Sequence, residues 1–289
     1  MNSTENNAPV PRILVTNDDG VHSPGLLAAV EAARRLGSVI VAAPTTQQTA
    51  RGRGMTGNRD DHFHPLELPL EMPLESAPEE TLHPVEAWHI DASPALTVRH
   101  ALAVLCPDRP PDLAIAGINY GENLGTNITI SGTVGAAMQA SAQGIPALAL
   151  SRQTEIHHHY EYGELDWADA RRVTARWIEI ALDRIAESGA PMPFAVLKID
   201  IPDPCPPGTE ERITRLSRQP YFRTRIENPS RTMPINRSRT YIEVDPTALH
   251  REDDIYALAL DRVVSITPLQ LDCSAPVETL QSGGVQQQR

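Results

Sequence analysis

The 289-residue sequence contains only three cysteines, Cys106, Cys205 and Cys273, and they lie far apart along the chain. Their odd number and wide separation exclude a disulfide framework and match no zinc-binding spacing. The cysteines are therefore typical of reduced thiols in the cytosol.

The sequence also lacks any apolar run long enough to span a membrane. Its first residues, MNSTENNAPVP, are polar and contain no apolar core of a signal peptide. These features predict a cytoplasmic protein with no membrane partner. Residues 1–11 and 273–289 are predicted to be flexible tails.

Positive charge is scarce as well. The chain has 25 Lys and Arg against 37 Asp and Glu, which gives a formal net charge of −12. Proteins that grip long nucleic acid need stripes of Lys and Arg along the phosphates, so this partner is excluded. One small phosphate held in a local pocket remains compatible with this charge.

Short apolar runs alternate with helical patterns over residues 12–203. Arg12–Thr16 predicts a buried strand, Ser23 and Pro24 begin a helix, and Ser38–Ala43 predicts the next strand. A strand, helix and strand in this order imply a parallel sheet. Further strands are predicted at 86–91, 112–117, 147–151 and 194–200, and further helices at 93–105, 131–143 and 166–188. The predicted fold class is α/β, with a doubly wound, mostly parallel, Rossmann-like sheet.

Two segments depart from this alternation. Residues 60–84 are rich in Pro and Glu, which disfavours long helices and central strands and predicts a surface insert. Beyond Pro202 helical patterns vanish, and residues 204–272 are predicted to form a second, β-ribbon region. Short runs such as Thr240–Val244 and Val263–Thr267 are its predicted strands.

Oxygen-bearing side chains follow several predicted strands. Asp18 and Asp19 come directly after the first strand, and two adjacent carboxylates repel each other unless a cation or proton compensates. Taken alone, this segment is better explained as a turn. However, a cluster of hydroxyl and amide side chains at residues 45–49 follows the second strand, Asn119 follows a later one, and ligands bind at the carboxyl ends of strands in such sheets. This set predicts one Mg²⁺ or Mn²⁺ ion.

A predicted helix begins at Ser131, Gly132 and Thr133. The first N–H groups of a helix attract anions, and two hydroxyls would add donors, which predicts a phosphate-binding site. A serine N-cap followed by small residues for tight helix packing explains the segment about equally well.

Four motifs together match a known family. They are ILVTNDDGVHSPG at 13–25, Pro111 and Asp112, GINYGENLG at 117–125, and SGTVGAA at 131–137, with weaker matches at 201–203 and 264–270. With these motifs the chain resembles the survival protein E (SurE) family of nucleotide phosphatases. The resemblance extends from about Arg12 to Asp272, except for the insert.

The resemblance implies a metal-dependent 5′/3′-nucleotidase, which would also cleave polyphosphate ends. It implies that Asp18, Asp19, Thr49 and Asn119 bind the metal ion. Thr49 stands where the family usually has serine, at the same offset from Pro44, and Ala50 stands where it has glycine. A second hypothesis is that Thr45, Thr46 or water supplies this oxygen instead.

The expected reaction is metal-assisted hydrolysis of a nucleoside monophosphate. Asp18, Asp19 and Asn123 are the predicted catalytic residues, and Ser131, Gly132 and Thr133 are predicted to bind phosphate. Covalent attack by Asp18 is an alternative route. The resemblance also implies that residues 205–270 pack on a second subunit, in a homodimer or homotetramer.

Two other classes of protein would use a similar site. A phospho-receiver switch also binds Mg²⁺ through an acidic pair, but it needs a later aspartate and a lysine, whereas here the later strand carries Asn119 and Lys198 is the only lysine. A nucleotide-binding protein without turnover is the other alternative.

His22 is a candidate for proton transfer or a structural hydrogen bond, and His157–His159 are interpreted as a solvated loop. A basic stretch, predicted to contact phosphate, a second subunit or solvent, comprises Arg215, Arg218, Arg223 and Arg225.

Overall fold

A mixed β-sheet forms the centre of the computed structural model, which describes residues 9–70, 82–159, 161–188 and 193–274. Its strands in chain order are β1 Arg12–Thr16, β2 Ser38–Pro44, β3 His64–Leu66, β4 Val85–Ile90, β5 Leu113–Tyr120, β6 Ala147–Arg152, β7 Val196–Ile201, β8 Glu211–Ile213, β9 Phe222–Ile226, β10 Ser238–Ile242 and β11 Val264–Leu269. The helices are α1 Pro24–Ala33, α2 Pro94–Val104, α3 Gly132–Ser141 and α4 Ala168–Ser188. The elements predicted for residues 12–203 are thus present, with ends that differ by a few residues.

The order of the strands creates a crevice at one edge of the sheet. Nine strands are arranged β3-β4-β2-β1-β5-β6-β7-β11-β8, and the run from β4 to β7 is parallel throughout. The chain winds outward from β1 in one direction, then returns to β5 on the other side of β1. In such sheets this switch point opens a crevice at the carboxyl ends of the two strands. The predicted doubly wound α/β fold is confirmed.

Helices cover both faces of the sheet, because the side chains of each strand alternate between faces. In β1, Ile13 and Val15 pack in the core under α1 and α4, whereas Leu14 packs in the core under α2 and α3. All three side chains are fully buried. Burial on both faces explains why the parallel strands are continuous apolar runs. None of the helices in the described ranges is long and apolar enough to cross a bilayer.

The segment predicted as ribbon at Val263–Thr267 belongs to the main sheet instead. The strand β11 pairs antiparallel with β7, and β8 pairs parallel with β11. Val264 and Ile266 are buried in the α1/α4 core, which stabilises the strand in the sheet. The prediction that this strand is part of a separate ribbon was wrong, because its alternation fits a buried strand as well as a ribbon.

The strands β9 and β10 form a two-stranded antiparallel hairpin that is separate from the main sheet. It corresponds to part of the predicted ribbon. It exposes the apolar side chains of Ile226, Tyr241 and Ile242. Its role in assembling a homodimer or homotetramer stays a prediction. The 60–84 insert contributes the edge strand β3, paired with β4, and residues 71–81 of it lie outside the described residues.

Candidate active site

A cleft of about 200 Å³ opens at the switch point, at the carboxyl ends of β1 and β5. Six residues predicted from the sequence line it: Asp18, Asp19, Thr49, Asn119, Asn123 and Ser131. They come from five separate parts of the chain. The fold therefore brings the predicted metal and phosphate residues together in one place.

The two aspartates are buried side by side at the bottom of this cleft, and their side chains carry no ion pair in the described part of the chain. Only 6% of Asp18 and 3% of Asp19 is exposed. Burial raises the pKa of Asp18 to about 6. Burial, and secondarily the nearby charge of Asp18, raises the pKa of Asp19 to about 8. Each shift reflects the cost of negative charge here, which a bound cation would offset.

The N-terminus of α3 points at Asp18. The hydroxyl of Thr133 donates to Oδ1 of Asp18, and the N–H groups of Gly132 and Thr133 also donate to this carboxylate. A Cβ on Gly132 would lie 2.6 Å from Oδ2 of Asp18, so only glycine allows this approach. Thr133 is fully buried and does not line the cleft. Binding of a phosphate by Thr133 therefore stays a prediction. Ser131 does line the cleft, and its Oγ accepts the N–H of Val134 at 3.1 Å as the helix N-cap.

Three neighbours hold Asp19, and sequence reasoning missed all of them. The N–H of Tyr120 donates to Oδ2 at 3.0 Å, and the amide of Gln47 donates to Oδ1 at 3.3 Å. The hydroxyl of Tyr162 donates to the main-chain carbonyl of Asp19. These partners restrict the carboxylate to one orientation.

Asn119 lines the cleft next to the two aspartates. Its Nδ2 group donates to the carbonyl of Gly121 at 2.7 Å, so Oδ1 is left for another partner. A register shift between β5 and β6, from Ala116 to Asn119, places this residue at the cleft. An amide oxygen next to two carboxylates suits a hard divalent cation.

The loop after β2 distinguishes between the candidate threonines. Thr49 lines the cleft, whereas the hydroxyl of Thr45 lies 2.9 Å from Nδ1 of His89, away from the aspartates. Thr46 does not line the cleft either. Ala50 adopts a left-handed conformation with φ of 60°. Residues other than glycine rarely adopt this backbone conformation.

Asn123, in the glycine-rich loop, is held by hydrogen bonds from its side chain and from its main chain. Its Nδ2 group donates to Oγ of Ser151 at 2.8 Å, and its N–H donates to Asp200 at 2.7 Å. Asp200 in turn contacts the ammonium of Lys198, which lies 3.2 Å from Asp254. All three charged side chains are fully buried. Lys198 thus supports the loop from below and does not reach the cleft as a receiver lysine would.

His159 is the main residue that sequence analysis placed wrongly. It belongs to the predicted solvated loop, yet it lines the cleft, and burial lowers its pKa to about 4. Its Nε2 atom has no hydrogen-bond partner in the described residues. The ring packs edge-to-face on Phe222, with centroids 5.3 Å apart. No signal marks which of three adjacent histidines turns inward. Apolar side chains of Ile130, Ile156 and Phe222 complete this side of the cleft.

The other polar candidates lie outside the cleft. His22 is exposed and does not line it. Arg215 pairs with Asp253 at 2.8 Å, and Arg223 pairs with Glu243 at 3.1 Å. Neither of these arginines, nor Arg218 and Arg225, lines the cleft. They do not contribute charge to this site.

Glu122 supplies a test of the electrostatics of the glycine-rich loop. It is 2% exposed, and burial raises its pKa from 4.5 to about 7. The native state therefore binds this proton more tightly than the unfolded chain, so stability falls as pH rises from about 4.5 through about 7. Glu122→Gln, which never ionises, should gain stability relative to the wild type between pH 5 and pH 8, by on the order of 1–3 kcal/mol. Thermal melting at both pH values measures this difference.

The control for this prediction is Glu187→Gln on the exposed face of α4. It should keep the same offset from the wild type at both pH values. A Glu122→Gln protein whose offset does not change with pH would contradict the prediction.

Comparisons with known proteins agree with one another. A family model described as survival protein SurE matches residues 13–223. A protein named 5′-nucleotidase SurE from Methanocella arvoryzae is 37% identical over 274 residues, which cover 93% of this chain and 96% of the relative. A protein of the same name from Thermococcus kodakarensis is 37% identical over 272 residues, covering 92% and 95%. The crystal structure of the SurE protein from Aquifex aeolicus aligns with a TM-score of 0.69 and 26% identity, over 94% of this chain and 98% of that one.

Proposed function

The chain belongs to the survival protein SurE family, and we propose that it is a 5′-nucleotidase that uses one Mg²⁺ or Mn²⁺ ion. Its substrate would be a nucleoside 5′-monophosphate, and its products the nucleoside and phosphate. The observation that carries this proposal is the buried pair of Asp18 and Asp19, which faces the cleft without a compensating side chain. Release of phosphate from 5′-AMP with and without Mn²⁺ tests it.

The donor set fits such an ion. Asp18 and Asp19 would supply negative charge, and Asn119 and Thr49, which also line the cleft, would supply neutral oxygens. The hydrogen bonds to both carboxylates hold them in place before the ion binds. When bound, the ion would polarise the phosphoryl group and orient the attacking water.

The remaining polar residues of the cleft would act on the phosphoryl group directly. Ser131 and Asn123 line the cleft on the side of α3 and of the glycine-rich loop. Their hydroxyl and amide can donate hydrogen bonds to phosphate oxygens and stabilise the charge that develops in the transition state. We assign to Gly132 and Thr133 the orientation of Asp18. The same phosphate position would accept 3′-monophosphates and polyphosphate ends, as the sequence resemblance implies.

Thr49 provides a graded test of the proposed donor set. Thr49→Ser keeps the oxygen and should be close to wild type. Thr49→Val keeps the shape but removes the oxygen, so it should raise the Mn²⁺ concentration for half-maximal activity by roughly tenfold, since one hydrogen-bonded or ligand oxygen is worth about 1–2 kcal/mol. The measurement is the rate of phosphate release against Mn²⁺ concentration.

The matched control is Thr45→Val, because the Thr45 hydroxyl contacts His89 and does not line the cleft. It should leave the Mn²⁺ dependence unchanged. If Thr45→Val shifts the dependence and Thr49→Val does not, the oxygen is assigned to the wrong threonine.

The apolar side of the cleft suits the base of a nucleotide. Phe222 and His159 offer aromatic rings next to the proposed phosphate position. Stacking of a base on an aromatic ring is worth about 1–3 kcal/mol. Phe222→Ala should therefore raise KM for 5′-AMP by roughly tenfold and leave kcat little changed, because this contact is the same in the ground and transition states.

Ribose 5-phosphate, which lacks a base, is the matched substrate, and its KM should stay within about twofold. Phe222→Tyr keeps the ring and should behave like the wild type with both substrates. An equal rise of KM for both substrates would show that Phe222 shapes the cleft without contacting the base.

A further inference from the structure

A cluster of one carboxylate and two imidazoles lies outside the cleft, at the start of the insert. Asp61, His62 and His64 each place one potential metal-ligand atom within 4.8 Å of the other two. In the described ranges of the chain, no other three His, Cys, Asp or Glu residues meet in this way. The insert is also the part of the sequence between Arg12 and Asp272 that the resemblance to the family does not cover.

The local backbone explains why the two imidazoles meet. His62 and His64 are two residues apart where β3 begins, so their side chains project from the same face. Phe63 between them points the other way, is 8% exposed, and stacks on His100 at 5.4 Å. Burial of Phe63 thereby fixes the direction of both imidazoles, whose centroids lie 4.4 Å apart.

Asp61 is held ready as the third ligand. Its Oδ2 accepts the N–H of Asp91 at 2.8 Å, and its Oδ1 lies 2.8 Å from Nε2 of His64. Both carboxylate oxygens of Asp61 are therefore held in orientation by their hydrogen-bond partners. An ion would take the place of the proton between Asp61 and His64.

A further imidazole borders the cluster. His89 lies opposite His64 in the β3–β4 pairing, and their ring centroids are 5.3 Å apart. The Nδ1 atom of His89 contacts Thr45, in the loop that also carries Thr49. The cluster therefore lies where the insert, β4 and the loop after β2 come together.

We propose that Asp61, His62 and His64 form a binding site for Zn²⁺, with water in the fourth position. Zinc prefers imidazole nitrogen and carboxylate oxygen at about 2.0–2.2 Å, in a tetrahedral arrangement. Ligand atoms of such an ion are about 3.4 Å apart, and side-chain rotation reaches this from the separations observed. The site differs in chemistry from the cleft, whose oxygen ligands favour harder ions. All three ligands lie within residues 61–64, so the bound ion would fix the local conformation of the segment that leads into β3.

Counting bound zinc tests this proposal. The full chain without an affinity tag is dialysed against micromolar Zn²⁺, and the bound metal is measured in a D18N/D19N background, so that the cleft does not contribute. This protein should retain one zinc ion per chain. Adding His62→Ala and His64→Ala should remove that ion, and the zinc-dependent rise in Tm should disappear with it.

The matched control is His157→Ala with His158→Ala, which removes another stacked histidine pair, with centroids 3.9 Å apart. The control should keep the zinc ion. Zinc that is lost with the His157/His158 pair, or is retained after loss of His62 and His64, would overturn the proposal. So would a D18N/D19N protein that binds no zinc. Circular dichroism verifies that each variant is folded.

Discussion

Asp18→Asn and Asp19→Asn are each expected to abolish phosphate release while leaving the metal-free protein at least as stable as the wild type. The two effects have one cause, the burial of two carboxylates side by side. Without a cation the second charge is unfavourable, so its removal does not weaken the fold. When a cation is present, we expect the same charge to bind it. Loss of metal assistance is worth several kcal/mol, which corresponds to a fall in kcat of about 1000-fold or more.

The measurements are kcat for 5′-AMP with saturating Mn²⁺, and Tm in EDTA. Asp183→Asn, on the exposed face of α4, is the control and should change neither quantity. An Asp18→Asn protein with wild-type turnover would contradict the metal assignment. A variant that is inactive because it melts well below the wild type would show that the pair serves the fold and would leave its catalytic role unsupported.

Lys198→Met is expected to have the largest effect on stability. Lys198 lies between Asp200 and Asp254, and all three are fully buried. Removing the ammonium leaves two carboxylates in the interior without their counter-charge. Breaking a buried pair in this way costs about 3–5 kcal/mol. Unfolding in urea at pH 8 measures the loss.

The dependence on pH has a definite sign. Burial already raises the pKa of Asp200 with Lys198 present, and removal of the ammonium raises it further. A buried group with a raised pKa destabilises the fold as pH increases, so the deficit of the Lys198→Met protein should be smaller at pH 5 than at pH 8. Adding Asp200→Asn and Asp254→Asn should recover part of the stability. A deficit that is equal at both pH values, and is not recovered, would point to lost packing instead of lost charge.

The parallel core of the fold was predictable because it depends on local patterns. Apolar runs such as Arg12–Thr16 end in turn residues, and helix starts such as Ser23 with Pro24 separate them. The segment that forms β11 was predicted as part of a ribbon, because an alternating pattern predicts a strand without specifying which strand it pairs with. The pairing of β11 with β7 joins residues about seventy positions apart in the sequence, and burial of Val264 and Ile266 in the core stabilises it.

Asp18, Asp19 and Asn119 were predictable because they lie at the carboxyl ends of β1 and β5, at the switch point, whereas Thr49 was identified by the family resemblance. The residues that hold these side chains in place were not predictable from the sequence. Tyr162 and Gln47 reach Asp19 from distant segments, and Lys198 was noted only as the sole lysine of the chain. Thr133 was assigned to the phosphate, since a hydroxyl at a helix start suits an anion. The anion at this helix start is the carboxylate of Asp18.

The proposed activity is hydrolysis of nucleoside 5′-monophosphates in this cleft, with a divalent ion bound at Asp18 and Asp19. Its most direct test is phosphate release from 5′-AMP by the wild-type chain, followed after EDTA treatment and again after Mn²⁺ is restored, with Asp19→Asn in parallel. We expect the wild type to release no phosphate in EDTA and to recover full activity with Mn²⁺. We expect Asp19→Asn to show no recovery. Release that continues in EDTA, or equals the wild type in Asp19→Asn, would contradict the proposal.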